Sequence, residues 1–183
     1  MRCWQSLPCT KKPAGRPCRS TGLTAPEHGF GPQSIRAMEL EDLDAVQAIE
    51  NAAQLTPWST SHFRDCITNA NYLCQVVTRD DDPVAFLILS RILDETHVLN
   101  VVVAPAWQRR GIARLMLEQA MDQARKDAMS VMYLEVRESN TGAQVLYRQL
   151  GFDVCGVRKN YYRKGDGHEN AVLMQCLLSG GHK

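Results

Sequence analysis

Apolar side chains recur with two different periods along most of the chain after residue 33, with polar side chains between them. Alternation is typical of strands, whereas a spacing of three or four residues is typical of helices. Strands are predicted over residues 34–38, 72–78, 84–92, 97–103, 131–136, about 152–162 and 171–177. Helices are predicted over residues 42–50, 59–67, about 109–125 and 141–150. This order of strands and helices predicts a mixed α/β domain with a central sheet.

Residues at the ends of these segments support the assignment. Ser59 and Asn140 can each cap a helix, because their side-chain oxygens can accept hydrogen bonds from unpaired first-turn amides. Gly151 is suited to end the helix over 141–150. The turn at 80–83 indicates a hairpin between its flanking strands, and Lys-Gly-Asp-Gly at 164–167 separates the last two strands.

The first 33 residues differ from the rest of the chain. Between residues 8 and 32 there are five prolines and four glycines, a density that prevents a packed element. We expect residues 1–33 to be a disordered extension or the product of a non-native translation start, with a transit peptide as the alternative. The domain is predicted to run from residue 34 to about residue 180.

Charge and hydropathy exclude several classes of function. The net charge is +1, but residues 1–33 carry five basic side chains and one acidic one, so the remainder is about −3. A mildly acidic domain is unsuited to non-specific nucleic-acid binding, although it tolerates a basic peptide partner. No window approaches the ~18 consecutive apolar residues of a membrane span, and the N-terminus lacks the apolar core of a secretory signal. We expect a cytoplasmic protein.

Cysteine and histidine positions give no indication of a metal or of disulfides. The seven cysteines are irregularly spaced, which favours reduced thiols in a cytosolic protein. His62, His97 and His168 lack metal-ligand spacing, so they are predicted to be ordinary surface or loop residues. No metal cofactor is predicted.

The turn QRRGIA at residues 108–113 lies between a predicted strand and a predicted helix. Unpaired amides at a helix start point in one direction, and the helix dipole adds roughly half a positive charge there. Arg109, Arg110 and Arg114 add further donors, and Gly111 allows close approach of an anion. The turn therefore predicts a phosphate site, with a solvated basic helix start as the alternative. It matches neither the P-loop nor the dinucleotide-binding fingerprint.

The sequence QRRGIA resembles the acyl-coenzyme A pyrophosphate loop of the GNAT acetyltransferases, [QR]-x-x-G-x-[GA], with Ala113 at its second small position. Its neighbours follow the family order: NVVV precedes it, and LEVRESN and AQVLYRQLGF follow it. The resemblance covers residues 34 to about 178. It implies a single GNAT-type α/β domain, with a mixed, mostly antiparallel sheet flanked by helices, that uses acetyl-CoA to acetylate an amine.

Within the family, the resemblance is strongest to the enzymes that acetylate the N-terminal alanine of a small-subunit ribosomal protein, through stretches such as PWS at 57–59 and NYY at 160–162. It implies direct transfer in a ternary complex, and none of the cysteines lies in the motif set. Two alternatives stay open at this point. One is a GNAT enzyme that acts on lysine or a small-molecule amine, and the other is an acyl-CoA-binding regulatory module without turnover. No oligomeric state is predicted.

For acetyl-CoA, the resemblance implies two binding segments. The pyrophosphate would be held by backbone amides of the turn, at Arg109, Arg110, Gly111, Ile112, Ala113 and Arg114. The pantetheine arm would pair with the strand that contains Val101, Val102 and Val103, with the amide of Val103 donating to the thioester oxygen. Asn140 matches an asparagine that contacts this arm, although capping alone would explain it.

The resemblance also implies a base, an acid and an acceptor slot. Glu135 lies among apolar residues, where a carboxylate is uncommon, and it matches a base that acts through water. Tyr147 matches the general acid that protonates the leaving thiolate. The alternatives are a surface-alternating carboxylate and a half-buried aromatic of an amphipathic helix. Trp58, Glu95 and Tyr162 are the candidates for binding the acceptor peptide.

Overall fold

A computed structural model of the chain describes residues 33–178. All but the last residue of the predicted extension 1–33 lie outside the described residues, as do residues 179–183. All predicted strands and helices are present in the described part.

Residues 33–178 form seven strands, β1 Gln33–Ala37, β2 Tyr72–Arg79, β3 Asp82–Ile92, β4 Glu95–Val103, β5 Val131–Arg137, β6 Asp153–Lys164 and β7 Gly167–Leu177. The same part of the chain contains four α-helices, α1 Leu43–Ala53, α2 Thr60–Ile67, α3 Ile112–Lys126 and α4 Thr141–Gln149, and short 3-10 turns at Leu40–Asp42 and Pro105–Trp107. The strands form one sheet in the order β1-β2-β3-β4-β5-β7-β6. Only β4 and β5 are parallel neighbours. The predicted mixed, mostly antiparallel sheet is therefore confirmed.

Helices cover both faces of the sheet and form two apolar cores. On one face of the sheet, Val46 of α1 and Phe63 of α2 form a core with Phe86 of β3. Met116 of α3 packs against the other face, on which Leu87 of β3 lies. Strand β3 is buried on both faces, and this explains its nearly continuous apolar sequence.

Two predicted boundaries shift because the backbone enters the left-handed region. Helix α3 begins at Ile112 instead of residue 109, since Arg109 and Gly111 have φ of 62° and 82°. The first hairpin is tighter than predicted: Asp80 and Asp81 have φ of 50° and 70°. Aspartate tolerates this conformation better than most residues, so the strands extend to either side of the pair.

One histidine prediction was wrong. His97 is 1% exposed, and its ring stacks on Tyr133 with centroids 5.3 Å apart. Strand β4 lies between β3 and β5 in the interior of the sheet, so a polar residue in it can be fully enclosed. Burial lowers the pKa of His97 to about 4, which keeps the ring neutral near pH 7.

The described cysteines agree with the expected reduced thiols. Cys66, Cys74, Cys155 and Cys176 are all free, and only Cys155 is more than slightly exposed. Burial raises the pKa of Cys66 to about 11 and that of Cys74 to about 12, so both remain thiols.

Strands β4 and β5 diverge after a short paired stretch, and this divergence creates the site. Their pairing runs only from Glu95 opposite Val131 to Val98 opposite Leu134. Just beyond, a β-bulge in the β3–β4 pairing leaves Leu99 without an opposite residue. A bulge bends its strand. The C-terminal half of β4 therefore turns away from β5 and leaves an open gap in the sheet.

Candidate active site

The gap between β4 and β5 contains a cavity of about 190 Å³. Six of the residues predicted from the sequence line it: Trp58, Val101, Glu135, Asn140, Tyr147 and Tyr162. They come from the α1–α2 loop, β4, β5, α4 and β6, so segments far apart in the sequence converge where the strands separate.

Glu135 lies on β5, one residue beyond the last residue of that strand paired with β4. Its neighbours Leu134 and Val136 point into the core under α3 and α4, so Glu135 points to the opposite face. Arg158 Nη1 lies 3.1 Å from its Oε1, and the Tyr161 side chain interacts with its carboxylate. Burial raises the pKa of Glu135, while Arg158 and Tyr161 oppose the rise. A raised pKa makes a carboxylate a better proton acceptor near neutral pH.

A distortion of β6 places the residues next to Glu135. Arg158 pairs with Ala171 and Tyr162 with Glu169, so β6 has two extra residues between these pairs. Asn160 within this bulge has φ of 52°, a conformation in which asparagine is common. The bulge lets Tyr161 contact Glu135 while Tyr162 lines the cavity. Sequence reasoning missed Arg158 and Tyr161, although asparagine within a strand pattern was a signal for the bulge.

Tyr147 reaches the cavity from the other face of the sheet. It packs in the core under α3 and α4, with its ring 6.0 Å from that of Phe152. Burial raises its pKa to about 12, so the hydroxyl keeps its proton through the neutral range. One turn earlier, Gln144 Nε2 donates to the carbonyls of Arg137 and Glu138, which fixes the start of α4 on the end of β5. A candidate base and a candidate acid thus enter one gap from opposite sides.

The edge of β4 that faces the gap presents backbone amides. Ala104 N–H donates to the carbonyl of Val84 on β3 at 2.9 Å. Amides alternate sides along a strand, so those of Val103 and Val101 point away from β3 and into the gap. Gln108 Nε2 donates to the Val103 carbonyl at 3.1 Å, which agrees with this orientation. The amide of Val102 points toward β3 instead, and its side chain lies in the core with α1 and α2.

The turn before α3 presents further amides. Gly111 occupies the helix N-cap position with φ of 82°, and the first intrahelical bond runs from Leu115 N–H to its carbonyl at 3.0 Å. The amides of Ile112, Ala113 and Arg114 precede this bond and have no backbone acceptor within residues 33–178. An αL glycine followed by unpaired amides is suited to bind phosphate oxygens.

The arginine side chains of this turn are engaged differently. Arg110 lies over the Trp107 ring, 4.8 Å from its centroid. Arg114 hydrogen-bonds to Gln149, and its Nη1 lies 3.6 Å from Glu118. Arg109 extends to the start of α4, beside Gly142. That these arginines donate to a bound phosphate stays a prediction.

Asn140 has the predicted capping role. Its Oδ1 accepts from the Ala143 amide at 3.1 Å at the start of α4. Oδ1 makes this bond, so the Nδ2 group remains available as a donor in a residue that lines the cavity. Capping and a ligand contact are compatible in one side chain.

Trp58 and Tyr162 form one wall of the cavity and, with Thr56, also line a neighbouring cavity of about 500 Å³. Trp58 packs on Phe63, with ring centroids 5.7 Å apart. Tyr162 lies under Arg137, whose guanidinium carbon is 4.3 Å from the ring centroid. The two cavities are therefore neighbours that share an aromatic wall.

Arg137 holds this wall in place, and sequence reasoning did not select it as a site residue. Its Nη1 bonds Glu169 at 2.9 Å and its Nη2 bonds Thr56 Oγ1 at 3.1 Å. Glu169 in turn accepts from the Ser139 amide, and these bonds lower the pKa of its carboxyl. The network joins β5, β7 and the α1–α2 loop around Tyr162.

Of the three predicted acceptor-binding residues, Trp58 and Tyr162 line both cavities and Glu95 lines neither. Glu95 lies at the N-terminal end of β4, where that strand is still paired with β5, and its Oε2 is 3.3 Å from His97 Nε2. The gap opens only after Val98, so three residues of paired strand separate Glu95 from the opening.

Sequence reasoning also missed Glu50 of α1. It is 1% exposed and lines the cavity, and both of its oxygens accept hydrogen bonds. The Trp58 amide donates to Oε1 at 2.9 Å, and Asn100 Nδ2 donates to Oε2 at 3.2 Å. Burial raises the pKa of the Glu50 carboxyl, and the two bonds oppose this rise. A signal existed, because position 50 follows Val46 by four residues on the buried face of α1.

Comparison with known proteins agrees with this geometry. The sequence pattern of the Acetyltransferase (GNAT) family matches residues 38–152, which include both candidate catalytic residues. The chain belongs to the GNAT acetyltransferase family.

Several GNAT relatives are similar over nearly their whole length. The [ribosomal protein bS18]-alanine N-acetyltransferase of Salmonella typhimurium is 38% identical over 146 residues, which cover 80% of this chain and 98% of that protein. Its counterpart in Haemophilus ducreyi is 40% identical over 145 residues, which cover 79% and 99%. The crystal structure of the Escherichia coli ribosomal-protein-S18-alanine N-acetyltransferase matches with a TM-score of 0.78 at 36% identity, covering 83% of this chain and 97% of that one.

GNAT enzymes use acetyl-CoA, and the described residues fit its chemistry. The amides at the start of α3 suit a pyrophosphate, and the amides of Val101 and Val103 suit an extended arm that adds to the strand edge. Within residues 33–178 no cluster of His, Cys, Asp and Glu could hold a metal ion. No described helix is long and apolar enough to cross a membrane.

Proposed function

We propose that this chain transfers the acetyl group of acetyl-CoA to the N-terminal α-amine of a cytoplasmic protein, the N-terminal alanine of ribosomal protein bS18 foremost. The observation that carries the proposal is the convergence of Glu135 and Tyr147 on one cavity from opposite faces of the sheet. The bS18-specific part is supported by relatives of 37–40% identity that are named for this acceptor.

Two backbone segments would hold acetyl-CoA. The amides of Ile112, Ala113 and Arg114 would bind the pyrophosphate, aided by the positive end of the α3 dipole. The edge of β4 would align the pantetheine arm, with Asn140 Nδ2 as a further donor. Acetyl-CoA supplies an activated acetyl group as a thioester and leaves as a thiolate. The amide of Val103 would donate to the carbonyl oxygen as negative charge develops on it, a kind of contact worth about 10²–10³ in rate.

Glu135 would prepare the attacking amine. A protein α-amine has a pKa near ~8, so most of it is protonated at neutral pH and cannot attack. Glu135 would accept this proton through a water molecule, and burial favours the transfer by raising the pKa of the carboxyl. Arg158 and Tyr161 would keep the carboxylate oriented toward the cavity. General-base assistance of this kind contributes about 10²–10⁴ in rate.

Tyr147 would complete the transfer. As the amine nitrogen bonds to the carbonyl carbon and the carbon–sulfur bond breaks, the Tyr147 hydroxyl would donate its proton to the departing sulfur. The nitrogen would lose its second proton as the amide forms, and this proton would return through water to the Tyr147 oxygen. Burial raises the pKa of Tyr147 to about 12, so the hydroxyl is still protonated at neutral pH when the thiolate leaves. A base and an acid in one cavity suffice for direct attack, so the proposed route is a ternary complex without an acetyl-enzyme.

The acceptor would enter along the aromatic wall. The cavity of about 190 Å³ at the catalytic pair has room for a small first residue, and the neighbouring cavity of about 500 Å³ can take the residues that follow. Trp58 and Tyr162 line both, so a peptide could pass between them with its amine at Glu135. This arrangement supports a protein acceptor with a small N-terminal residue.

The proposal is tested by measuring initial rates of acetyl transfer to three acceptors at equal concentration. They are bS18 with a free N-terminal alanine, bS18 with a chemically blocked N-terminus and its lysines intact, and spermidine. We expect rapid transfer to the first and little to the others. Faster transfer to blocked bS18 or to spermidine would overturn the proposed acceptor. Binding of acetyl-CoA without transfer to any acceptor would favour a regulatory module.

A further inference from the structure

Two carboxylates line the catalytic cavity, and their charges are balanced differently. Glu135 has a cationic partner, because Arg158 Nη1 lies 3.1 Å from its Oε1. Glu50 has no ion pair with any residue in the described part of the chain. Its partners are two neutral donors, the Trp58 amide and the Asn100 side chain. Glu50 is therefore the carboxylate whose negative charge the surrounding protein leaves uncompensated.

The hydrogen bonds at Glu50 favour its ionised form. Each oxygen accepts from an N–H group, and a carboxylate accepts such bonds more strongly than a protonated carboxyl, which also has fewer acceptor positions. A carboxylate has about four acceptor positions, so capacity for a further donor remains. The residue is 1% exposed, and a buried anion without a counter-ion is costly to a folded protein. Such a cost points to a role for the charge.

The position of Glu50 shows which ligand could compensate this charge. It lies on the same face of the sheet as Glu135, and its carboxylate is bonded to Trp58, which lines both cavities. A positive group that follows the aromatic wall toward Glu135 would reach Glu50 within the same cavity. In the proposed reaction this group is the protonated α-amine of the acceptor.

We infer that Glu50 binds the N-terminal α-ammonium group of the acceptor and thereby selects for a free, charged N-terminus. The inference rests on the proposed function and adds a residue to it. Glu50 holds the ammonium group through a charge-assisted hydrogen bond, and Glu135 then accepts the proton through water. The two carboxylates divide the work because Arg158 offsets the charge of only one of them.

A purely structural role for Glu50 gives a different expectation. Through Trp58 and Asn100 the carboxylate also ties α1 to the α1–α2 loop and to the bulged part of β4. If it acted only as this tie, its removal would weaken all peptides alike, whether or not they carried an amine. The measurement must therefore compare two peptides that differ only in the amine.

The experiment measures dissociation constants for such a pair in the presence of saturating coenzyme A, which carries no acetyl group. One peptide begins with the N-terminal alanine of bS18, and in the other a propionyl group replaces that alanine, so only the amine is missing. Titrations are made at about pH 6.5, where an α-amine with a pKa near ~8 is protonated. The proteins are wild type, Glu50→Gln and the matched control Glu41→Gln, which removes an exposed carboxylate outside the cavity.

We expect wild type and Glu41→Gln to prefer the amine peptide by about tenfold to hundredfold, the range for one hydrogen bond to a charged group. Glu50→Gln should bind both peptides equally while retaining the wild-type affinity for the propionyl peptide. A preference that survives in Glu50→Gln would overturn the inference, and so would an equal loss of affinity for both peptides.

A second variant covers the case in which Glu50→Gln does not fold. Glu135→Gln should keep the preference for the amine peptide, because Arg158 already offsets the charge of Glu135. Loss of the preference in Glu135→Gln would assign ammonium binding to Glu135 and overturn the inference. Failure of the proposed function is separate, since it appears as absence of acetyl transfer by wild type when acetyl-CoA replaces coenzyme A.

Discussion

At the scale of single residues, environment decides what otherwise identical groups can do in this site. Glu50 is buried and Glu135 is partly buried, and the pKa of each carboxyl is raised, yet Glu50 accepts bonds only from neutral donors and Glu135 faces Arg158. Tyr147 and Tyr162 both line the cavity, but Tyr147 packs in the core while Tyr162 is covered by a guanidinium. Residue type alone would not have separated these roles.

Replacement of Tyr147 tests the acid. Tyr147→Phe removes the hydroxyl and keeps the ring that packs on Phe152, so the fold and cofactor binding should be unaffected. Steady-state kinetics should show a kcat lowered by about 10²–10⁴, with little change in the KM for acetyl-CoA. Tyr72→Phe, outside the cavity, is the matched control and should behave like wild type. An unchanged kcat in Tyr147→Phe would remove Tyr147 from the mechanism.

Replacement of Arg158 tests whether Glu135 is the general base, through the pH dependence of kcat/KM. Burial raises the pKa of Glu135, and Arg158 acts in the opposite direction, so Arg158→Gln should raise this pKa further. The base works only above its pKa. The acid limb of the kcat/KM profile for the acceptor should therefore move to higher pH, by about one unit for an adjacent charge. Arg64→Gln, an exposed arginine on α2, should leave the limb in place. A limb that moved to lower pH in Arg158→Gln would contradict the assignment of Glu135.

At the scale of elements, three backbone irregularities position the site. The bulge at Leu99 opens the gap, the left-handed Gly111 frees the amides of α3, and the β6 bulge places Tyr161 against Glu135. At each of these positions the backbone departs from regular strand or helix geometry. Backbone N–H and C=O groups that would otherwise bond within the strand or helix are left without those partners. The unpaired amides are the groups that a ligand can use.

Gly111 and Gly165 form a matched pair for testing the turn. Both have positive φ, 82° and 55°, and an added Cβ would meet no atom within 4 Å at either. Alanine at each should therefore lower the free energy of unfolding by a similar amount, about 1–2 kcal/mol, through backbone strain alone. Only Gly111→Ala should raise the KM for acetyl-CoA, because relief of the strain would redirect the amides of α3. Equal KM values in the two variants would argue against pyrophosphate binding at this turn.

The sequence predicted regular elements well and irregular ones poorly. Alternation and helical spacing located each strand and helix, and the resemblance through QRRGIA and LEVR identified the family. The bulges at Leu99 and Asn160 were missed, because a bulge depends on the partner strand, which a single-strand pattern does not contain. Glu50, Arg158 and His97 were missed or misread for a related reason: their burial is set by neighbours that are distant in sequence.

At the scale of the whole molecule, the sheet brings the two halves of the site together. The N-terminal half supplies Glu50 and Trp58 on the face of α1 and α2, and the C-terminal half supplies Tyr147 on the face of α3 and α4. The parallel contact of β4 with β5 joins the halves, and its early end leaves the gap between them. The proposed catalytic residues therefore meet where the two halves of the sheet join.

A shortened chain tests the domain boundary. We propose that residues 1–32 contribute nothing to the reaction, since the family pattern begins at residue 38 and the described core runs from Met38 to Leu178. A chain that begins at Gln33 should therefore have the melting temperature and the kcat/KM of the full chain. The two are compared by thermal denaturation and by acetyl transfer to bS18. A lower melting temperature or a lower rate in the shortened chain would extend the functional unit into that segment.

Location of the acetyl group on bS18 after reaction is the most decisive test of the proposed acceptor and chemistry. Tandem mass spectrometry of the modified protein distinguishes an acetyl on the first nitrogen from one on a lysine side chain. We expect one acetyl, on the α-nitrogen of the N-terminal alanine, and none when Tyr147→Phe is assayed for the same short time. An acetyl on lysine Nζ would contradict the proposed acceptor, while transfer at full rate by Tyr147→Phe would contradict the proposed chemistry.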